Sequence, residues 1–141
     1  MRVRDLLRRP PVVICAEEPL IKAARLMAKE RVGLLPVVSP EDERRVLGVL
    51  SERDILRAVA EGRDLAGPVS AYAKMGDLIT ISEGAPLSRA AQLMHEHQVR
   101  HLVVLDEEGK LAGVLSIRDL VAEALVLEAL RRLEEEEFAG D

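Results

Sequence analysis

The sequence predicts an α+β fold in which two similar β-α-β-β-α halves pack sheet against sheet around a pseudo-twofold axis. Three observations predict this fold: an internal repeat, an alternation of short apolar runs with amphipathic stretches, and a globular composition. The 141 residues are 48% hydrophobic and 32% charged, which suits one compact unit of this length. Each half has too few strands and helices to cover its own apolar faces, so the halves are expected to share a core.

The repeat is read from two pairs of matching segments. Residues 19–27 read Pro-Leu-Ile-Lys-Ala-Ala-Arg-Leu-Met and residues 86–94 read Pro-Leu-Ser-Arg-Ala-Ala-Gln-Leu-Met, at an offset of 67. Residues 48–56 and 113–121 share Gly-Val-Leu-Ser-x-Arg-Asp, at an offset of 65. The offsets differ because the polar loop between these segments is longer in the first copy, which a surface turn tolerates. The predicted boundaries are 1–65 for the first repeat, 66–125 for the second, and 126–141 for a C-terminal helical extension with an acidic tail.

Short apolar runs predict the strands of each copy. A short apolar run that turn residues bound is typical of a buried strand. Each copy has three such runs, and a polar turn joins the second run to the third as a hairpin. The runs lie at residues 12–15, 34–38 and 46–50 in the first copy and at residues 78–81, 102–105 and 111–115 in the second.

Helical spacing of apolar residues predicts two helices in each copy. The first helix opens at a proline that follows acidic residues, and helix N-termini favour both. Its apolar stripe consists of Leu20, Ala23, Ala24 and Met27 in the first copy and of Leu87, Ala90, Ala91 and Met94 in the second. The second helix is predicted over residues 52–61 and from Ile117 onward.

Charge and cysteine content exclude several classes of function. The net charge of −5 argues against nucleic acid as the main partner, because a phosphate backbone demands a basic face. No apolar run approaches the roughly 20 residues that span a bilayer, and no signal peptide is visible, so we expect a cytoplasmic protein without membrane contact. The single cysteine, Cys15, excludes an internal disulfide and a cysteine-based zinc cluster.

No pattern typical of an enzyme is present. The sequence has no phosphate-binding lysine loop, no Gly-x-Gly-x-x-Gly and no ordered Ser-His-Asp set, so no catalytic residue is predicted. His95 and His97 are two positions apart on a helix and face different directions, and no cysteine or acid completes a metal set with them. We therefore expect no metal, no required cofactor and no enzymatic activity.

The repeated unit resembles the CBS domain, named for cystathionine β-synthase, and the pair resembles a Bateman module. The residues that carry the resemblance are Pro-Leu-x-x-Ala-Ala-x-x-Met, the strands at 35–38 and 102–105, and Gly-Val-Leu-Ser-x-Arg-Asp, over roughly residues 3–125. The resemblance implies a regulatory module that binds an adenosyl ligand between its halves: AMP, ADP, ATP, S-adenosylmethionine or sometimes a dinucleotide. It also implies a homodimer and a regulated partner protein. The alternative is an adaptor that dimerises and binds protein without any nucleotide.

A Ser-x-x-Asp sequence stands at the start of the last predicted helix of each copy. In the family that it resembles, the carboxylate accepts hydrogen bonds from both ribose hydroxyls and the serine helps to hold the sugar or phosphate. These residues are Ser51 and Asp54 in the first copy and Ser116 and Asp119 in the second. The same spacing is typical of a helix capping box, and the two interpretations can coexist because a capped helix N-terminus also attracts phosphate.

Basic residues near these sequences are candidates for phosphate binding. Arg53 and Arg118 occupy the second helical position, where a cation opposes the helix macrodipole by roughly 0.3–1 kcal/mol. A bound phosphate accounts for them, and a local ion pair with the neighbouring aspartate is the alternative. Arg100 and His101 precede a strand at a place where the family's basic residues often reach ligand phosphates; the alternative is that both point to solvent.

The two clefts are expected to be unequal. Gly33 and Leu34 stand in the first copy where Arg100 and His101 stand in the second, so the first copy has no charge there. We therefore expect the cleft that contains Asp119 to bind phosphorylated ligands more tightly, with a pH dependence from the imidazole. A basic side chain of one copy can also reach the other copy's ligand, so the assignment of this pair to one cleft stays open.

Few residues are candidates for contacting an adenine ring, because aromatic residues make up only 1% of the chain. Tyr72 could cover one face of the ring, or it could be a surface tyrosine of the linker. Ile79 and Ile81 could supply aliphatic walls.

The last predicted helix extends well beyond the repeat. Its apolar stripe, at 3–4 spacing, consists of Leu120, Ala124, Leu127, Leu130 and Leu133. The stripe is expected to pack on the chain's own module, on a second chain or on a target protein. The acids at 134–137 are expected to be solvated, because they oppose the macrodipole at a helix C-terminus.

Overall fold

The protein has the predicted α+β architecture of two repeats with opposed sheets. The computed structural model describes residues 1–8 and 10–139, and the surroundings of side chains up to Glu137. Gly140 and Asp141, which end the predicted acidic tail, lie outside the described residues.

The elements of each repeat follow the predicted order. The first repeat contains β1 (Ile14–Cys15), α1 (Leu20–Glu30), β2 (Leu34–Ser39), β3 (Asp42–Ser51) and α2 (Glu52–Ala60). The second contains β5 (Thr80–Ser82), α3 (Leu87–His97), β6 (His101–Leu105), β7 (Leu111–Ser116) and α4 (Ile117–Ala139). In each repeat the leading strand runs parallel to the next, which forms an antiparallel hairpin with the third. The helix α4 runs for 23 residues, to Ala139.

The linker contributes structure that the sequence pattern did not predict. The strand β4 (Lys74–Met75) pairs with β3, so it completes the sheet of the first repeat although it lies within the predicted bounds of the second. A short 3-10 helix precedes it at Val69–Ala71, and a matching 3-10 helix lies at Val3–Leu6. At this linker, the sheet of the first repeat therefore extends beyond the end that the sequence repeat predicts for it.

Each repeat packs its core against a segment that precedes the other repeat. Val3 is fully buried in the core of the second repeat, and its amide donates to the Ala85 carbonyl at 2.9 Å. Val69 is fully buried in the core of the first repeat, and its amide donates to the Glu18 carbonyl at 2.8 Å. The two segments thus cross between the repeats at pseudo-equivalent places.

The two sheets pack on each other through a third apolar cluster. Val38 of β2, Val103 of β6 and Leu111 of β7 form its buried centre, and Cys15 packs at its edge as a small apolar side chain. Apolar residues on both sheets are thereby removed from water, which stabilises the pairing of the repeats.

Ion pairs join the two hairpin loops. Lys110 Nζ lies 2.5 Å from Asp42 Oδ2, and Arg44 pairs with Asp106. The hydrogen bond from Lys110 lowers the pKa of Asp42, and backbone amides, first that of Lys110, lower the pKa of Asp106. These pairs cross between the repeats, so they hold the hairpin loops of the two repeats together.

Truncation of the crossing segments should destabilise the whole protein. Val3→Ala should lower the free energy of unfolding by about 2 kcal/mol, because it leaves a cavity at a fully buried side chain. Val69→Ala, the matched change in the other half, should cost a similar amount. Urea denaturation followed by circular dichroism measures both, with Ser70→Ala at an exposed position as the control. Wild-type midpoints for both valine variants would contradict a core role for these segments.

Candidate functional site

Two clefts of similar size lie where the repeats meet. The first has a volume of about 790 Å³ and the second about 820 Å³. Each cleft combines the start of the last helix of one repeat with the leading segment of the other. The first cleft contains Ser51 and Arg53 together with Leu78 and Ile79. The second contains Ser116, Arg118 and Asp119 together with Pro11 and Val12.

A common partition separates the clefts. It is made by the α1–β2 junction of the first repeat and the α3–β6 junction of the second, which are pseudo-equivalent. Among the described residues, those that line both clefts are Gly33, Leu34, Glu52, Arg100 and His101. The amide of Glu52 donates to the Gly33 carbonyl at 3.0 Å, and the amide of Ile117 donates to the Arg100 carbonyl at 2.8 Å. Each junction is thus tied to the N-terminus of the helix that follows it.

A reciprocal capping box begins both helices. Ser51 Oγ accepts the Asp54 amide at 3.2 Å, and Asp54 Oδ2 accepts the Ser51 amide at 2.9 Å and the Ser51 hydroxyl at 3.0 Å. Ser116 Oγ accepts the Asp119 amide at 3.2 Å, and Asp119 Oδ2 accepts the Ser116 amide at 2.8 Å. Both Ser-x-x-Asp sequences therefore form a helix capping box in the folded chain. The capping box uses one carboxylate oxygen of the aspartate in each repeat.

The other carboxylate oxygen differs between the repeats. Asp54 Oδ1 lies 3.7 Å from Arg57 Nη1, and Asp54 does not line the first cleft. Asp119 lines the second cleft, and within the described residues its Oδ1 makes no hydrogen bond or ion pair. Ala122 occupies the position equivalent to Arg57, which explains the difference. The second cleft alone therefore contains an aspartate with one oxygen available to a ligand.

The predicted basic residues lie at the clefts. Arg53 lines the first cleft, Arg118 lines the second, and neither pairs with its neighbouring aspartate within the described part of the chain. Arg100 and His101 line both clefts, so they do not belong to one cleft alone.

Five polar residues at the clefts were missed by the sequence analysis, and one of them, Glu52, lines both clefts. The second cleft gains Arg8 and Arg31, and the first gains Lys74 and Gln98. Arg8 Nη1 donates to the Glu30 carbonyl at 3.0 Å, and the same side chain pairs with the Glu30 carboxylate, which holds it at the end of α1. Arg31 and Gln98 end α1 and α3 in the left-handed region, with φ of 56° and 53°.

Two of the three candidates for adenine contact lie away from the clefts. Ile79 lines the first cleft, whereas Ile81 is buried in the core of the second repeat. Tyr72 packs at the edge of the first core, its hydroxyl donates to the Asp64 carbonyl at 2.6 Å, and the Arg63 guanidinium lies 4.6 Å from its ring centroid. These contacts agree with the alternative interpretation of Tyr72 as a linker residue.

His101 is the cleft residue with a shifted pKa. Burial lowers the pKa of its imidazole most, and the charges of Arg118 and Arg100 lower it further. The carboxylates of Glu52 and Asp119 act in the opposite direction. The imidazole is therefore easier to keep neutral in the folded chain than in water, and an anion brought into either cleft would favour its charged form.

The described residues contain neither a metal-binding cluster nor a membrane-spanning helix. They contain no group of three or more His, Cys, Asp or Glu side chains that could hold a metal ion. No helix among them is long and apolar enough to cross a membrane.

A protein-family model matches both repeats of the chain. The CBS domain model matches residues 3–61 and 69–126, one match for each repeat. The chain belongs to the CBS domain family. It is a CBS domain pair, which is a regulatory module and not a catalytic domain, and the predicted tandem organisation is confirmed.

Solved CBS structures match the whole pair. A CBS domain protein from Pyrobaculum aerophilum, solved in complex with AMP, is 42% identical, with a TM-score of 0.83 over 94% of this chain and 99% of that chain. A conserved protein from Pyrococcus horikoshii is 26% identical, with a TM-score of 0.77 over 87% of this chain and 91% of that chain. A CBS domain pair solved with 5′-methylthioadenosine and S-adenosyl-L-methionine is 21% identical, with a TM-score of 0.77 over 86% of this chain and 94% of that chain, and shows the fold alone.

Curated relatives include a much longer enzyme. Inosine-5′-monophosphate dehydrogenase from Aquifex aeolicus is 32% identical over 111 residues, which are 79% of this CBS pair and 22% of that enzyme. The chain therefore spans about a fifth of the length of the dehydrogenase.

Protonation of His101 should destabilise the folded CBS pair. The unfolded chain protonates this imidazole near its ordinary pKa of about 6.5, whereas the folded chain resists protonation, so the unfolded state binds more protons. This contribution lowers the free energy of unfolding as the pH falls through about 6.5. His101→Gln should therefore lose less stability than wild type between pH 8 and pH 5.5 in urea titrations. His95→Gln, at an exposed histidine, is the matched control and should follow wild type. Equal pH dependence of wild type and His101→Gln would show that burial of this imidazole has no energetic consequence.

Proposed function

We propose that this CBS pair senses an adenine nucleotide or a related adenosyl ligand and transmits its occupancy to a partner protein. The observation that carries the proposal is the second cleft, where an available oxygen of Asp119 lies among several cations. The cations that line this cleft are Arg8, Arg31, Arg100 and Arg118, and the imidazole of His101 lies beside them. The AMP complex of a 42% identical CBS protein supports the same class of ligand.

The chemistry of the second cleft fits each part of such a ligand. A carboxylate is an acceptor, and the vicinal hydroxyls of a ribose are two donors, so Asp119 would hold the sugar. Guanidinium groups bind phosphate in bidentate geometry, and the N-terminus of α4 adds its positive dipole. Aliphatic side chains supply the walls for the base: Pro11, Val12, Val32, Leu34, Val114 and Ile117.

The first cleft would bind phosphorylated ligands more weakly. It has two cations of its own, Arg53 and Lys74, and the carboxylate of Asp54 is held by the cap and approached by Arg57. The second cleft has three arginines of its own and an uncommitted aspartate oxygen. We therefore retain the proposal of unequal clefts, on a wider set of residues than the sequence alone indicated.

Occupancy would be transmitted by the geometry of the second cleft. The ligand would contact the leading segment of one repeat and the α4 N-terminus of the other, so it would favour one relative arrangement through its differential affinity for that arrangement. α4 begins in the cleft at Arg118 and Asp119 and continues as one helix to Ala139, about 35 Å in length. A partner that contacts the distal part of α4 would therefore sense the state of the cleft.

The dehydrogenase activity of the longer relatives forms no part of this proposal, because this chain matches only a fifth of that enzyme. A non-enzymatic module predicts that AMP and ATP remain intact after prolonged incubation with the protein, which chromatography of the nucleotides tests. The second candidate function is an adaptor without nucleotide. The exposed apolar side chains of α4, among them Leu125, Leu130 and Leu133, favour it because they offer a protein-binding face in the absence of ligand.

A thermal-shift panel distinguishes the two functions. At one hundred times the dissociation constant, one bound ligand adds about 2.7 kcal/mol to the free energy of unfolding. That stabilisation raises the Tm by several degrees at this chain length. The panel consists of AMP, ADP, ATP, S-adenosylmethionine and NAD. A flat response to all five favours the adaptor.

Asp119→Ala should weaken AMP binding in the second cleft by about tenfold or more, because the loss of a charged hydrogen bond costs about 1.5–3 kcal/mol. Asp119→Asn keeps a cap acceptor and should hold α4 as wild type does while still losing affinity. Calorimetry with AMP measures the affinity, and thermal unfolding without ligand reports the cap. Asp54→Ala is the matched variant and should leave the tighter site intact. Wild-type AMP affinity in Asp119→Asn would mean that the aspartate acts only as a cap.

Self-association is expected in either function. Exposed apolar residues lie at pseudo-equivalent positions on α2 and α4, with Leu56 matching Val121, and continue along the extension at Leu130 and Leu133. We propose that a second copy covers this face in a homodimer. Light scattering should give twice the 15.5 kDa mass of the chain at micromolar concentration. Leu130→Glu with Leu133→Glu should shift the protein toward the monomer, and a monomeric wild type with and without AMP would contradict the homodimer.

A further inference from the structure

The partition between the clefts carries its basic residues on one side of the pseudo-twofold axis. Arg100 and His101 come from the second repeat, and their equivalents in the first repeat are Gly33 and Leu34. Within the described residues, these four and Glu52 line both clefts. A symmetric pair of repeats would have one arginine and one histidine for each cleft, whereas this chain has one such pair for two clefts.

An acidic residue at the partition, Glu52, offsets part of the positive charge there. Glu52 lies at the start of α2, and its equivalent at the start of α4 is Ile117. Its carboxylate favours the charged form of His101, which places it within electrostatic reach of the pair. One acidic charge therefore already offsets part of the positive charge that two phosphates would need.

The clefts differ in how far they depend on the shared pair. The second cleft has its own Arg8, Arg31 and Arg118, of which Arg8 is fixed by Glu30. The first has Arg53 and Lys74; the cations that belong to one cleft alone are exposed to water in both clefts, so the clefts differ in how many of these cations they have. Loss of Arg100 to a phosphate on the other side would therefore weaken the first cleft more.

We propose that the two clefts compete for Arg100 and His101, so that a nucleotide bound in the second cleft weakens nucleotide binding in the first. This inference rests on the proposed function and adds negative coupling between its two sites. A guanidinium that donates its parallel N–H groups to one phosphate does not present the same groups to a second. Two phosphates that face a common partition also repel each other. By linkage, the first cleft when filled weakens the second by the same factor.

The coupling would make the chain respond in two stages. The second cleft would fill first, and the first cleft would fill only at a nucleotide concentration about tenfold or more higher, which corresponds to the loss of one charged hydrogen bond. Singly and doubly occupied states would then be populated over separate concentration ranges.

Calorimetric titration of the full chain with AMP tests the coupling. Wild type should show two events per chain, the second at least tenfold weaker. In Asp119→Ala the second cleft binds AMP about tenfold or more weakly than in wild type. The first cleft then fills with less competition and should bind AMP more tightly than it does as the second event of wild type. Circular dichroism of Asp119→Ala establishes that the variant is folded.

Two variants at Gly33, the position equivalent to Arg100, test the effect of a second cation at the partition. The three atoms nearest to a Cβ added at Gly33 belong to the Glu52 side chain, at 3.4–3.6 Å, which is ordinary van der Waals contact, so a side chain can start at this position. Gly33→Arg should bring the second event close to the first, whereas Gly33→Gln, of similar length and no charge, should not. Two AMP sites that bind independently in wild type, with equal first-cleft affinity in Asp119→Ala, overturn the coupling and leave the proposed function intact. No AMP binding in wild type overturns the proposed function and this inference with it.

Discussion

The structure depends on an exchange of segments between two repeats that cannot close their own cores. Val3 fills the core of the second repeat and Val69 fills the core of the first, and both are fully buried. Because each segment then leads to the first strand of the repeat that follows it, β1 or β5, it lines a cleft where the repeats meet. The lining residues are Arg8, Pro11 and Val12 after Val3, and Lys74, Leu78 and Ile79 after Val69. These residues form one wall of each cleft, so the packing that stabilises the fold also creates the candidate sites.

The sequence predicted the parts of this fold that repeat locally. Apolar runs, helical stripes and the Ser-x-x-Asp spacing are short-range patterns, and the strands, helices and helix caps they indicate are present. The crossing segments have no such pattern, since a single buried valine in a 3-10 turn has no periodicity. One signal could have found their cleft residues: Arg8 and Lys74 each follow a buried valine, Val3 or Val69, by five positions. Arg31 was missed because it lies at the cleft through its own left-handed backbone conformation at the end of α1, which no sequence pattern indicated.

Helix capping and ligand binding use different atoms of the same aspartate. In both repeats the cap engages Oδ2, so its presence says nothing against a ligand role for Oδ1. What distinguishes the repeats is a residue three positions later, Arg57 in the first and Ala122 in the second. The two interpretations that the spacing left open are therefore compatible in the second repeat, and in the first Arg57 lies near the remaining oxygen.

Charged residues at the clefts differ between the repeats, while several core residues are identical. Leu20, Ala23 and Met27 have identical equivalents in α3, and Leu35 and Leu50 have identical equivalents in β6 and β7. At the partition, by contrast, a glycine stands opposite an arginine and a leucine opposite a histidine. The shared core residues give the two repeats a common frame, and the cleft volumes are nearly equal, so we attribute the proposed difference in binding to the charged residues at the clefts. A module with the proposed coupling would distinguish one bound nucleotide from two, because the free energy of the second binding step would differ from that of the first.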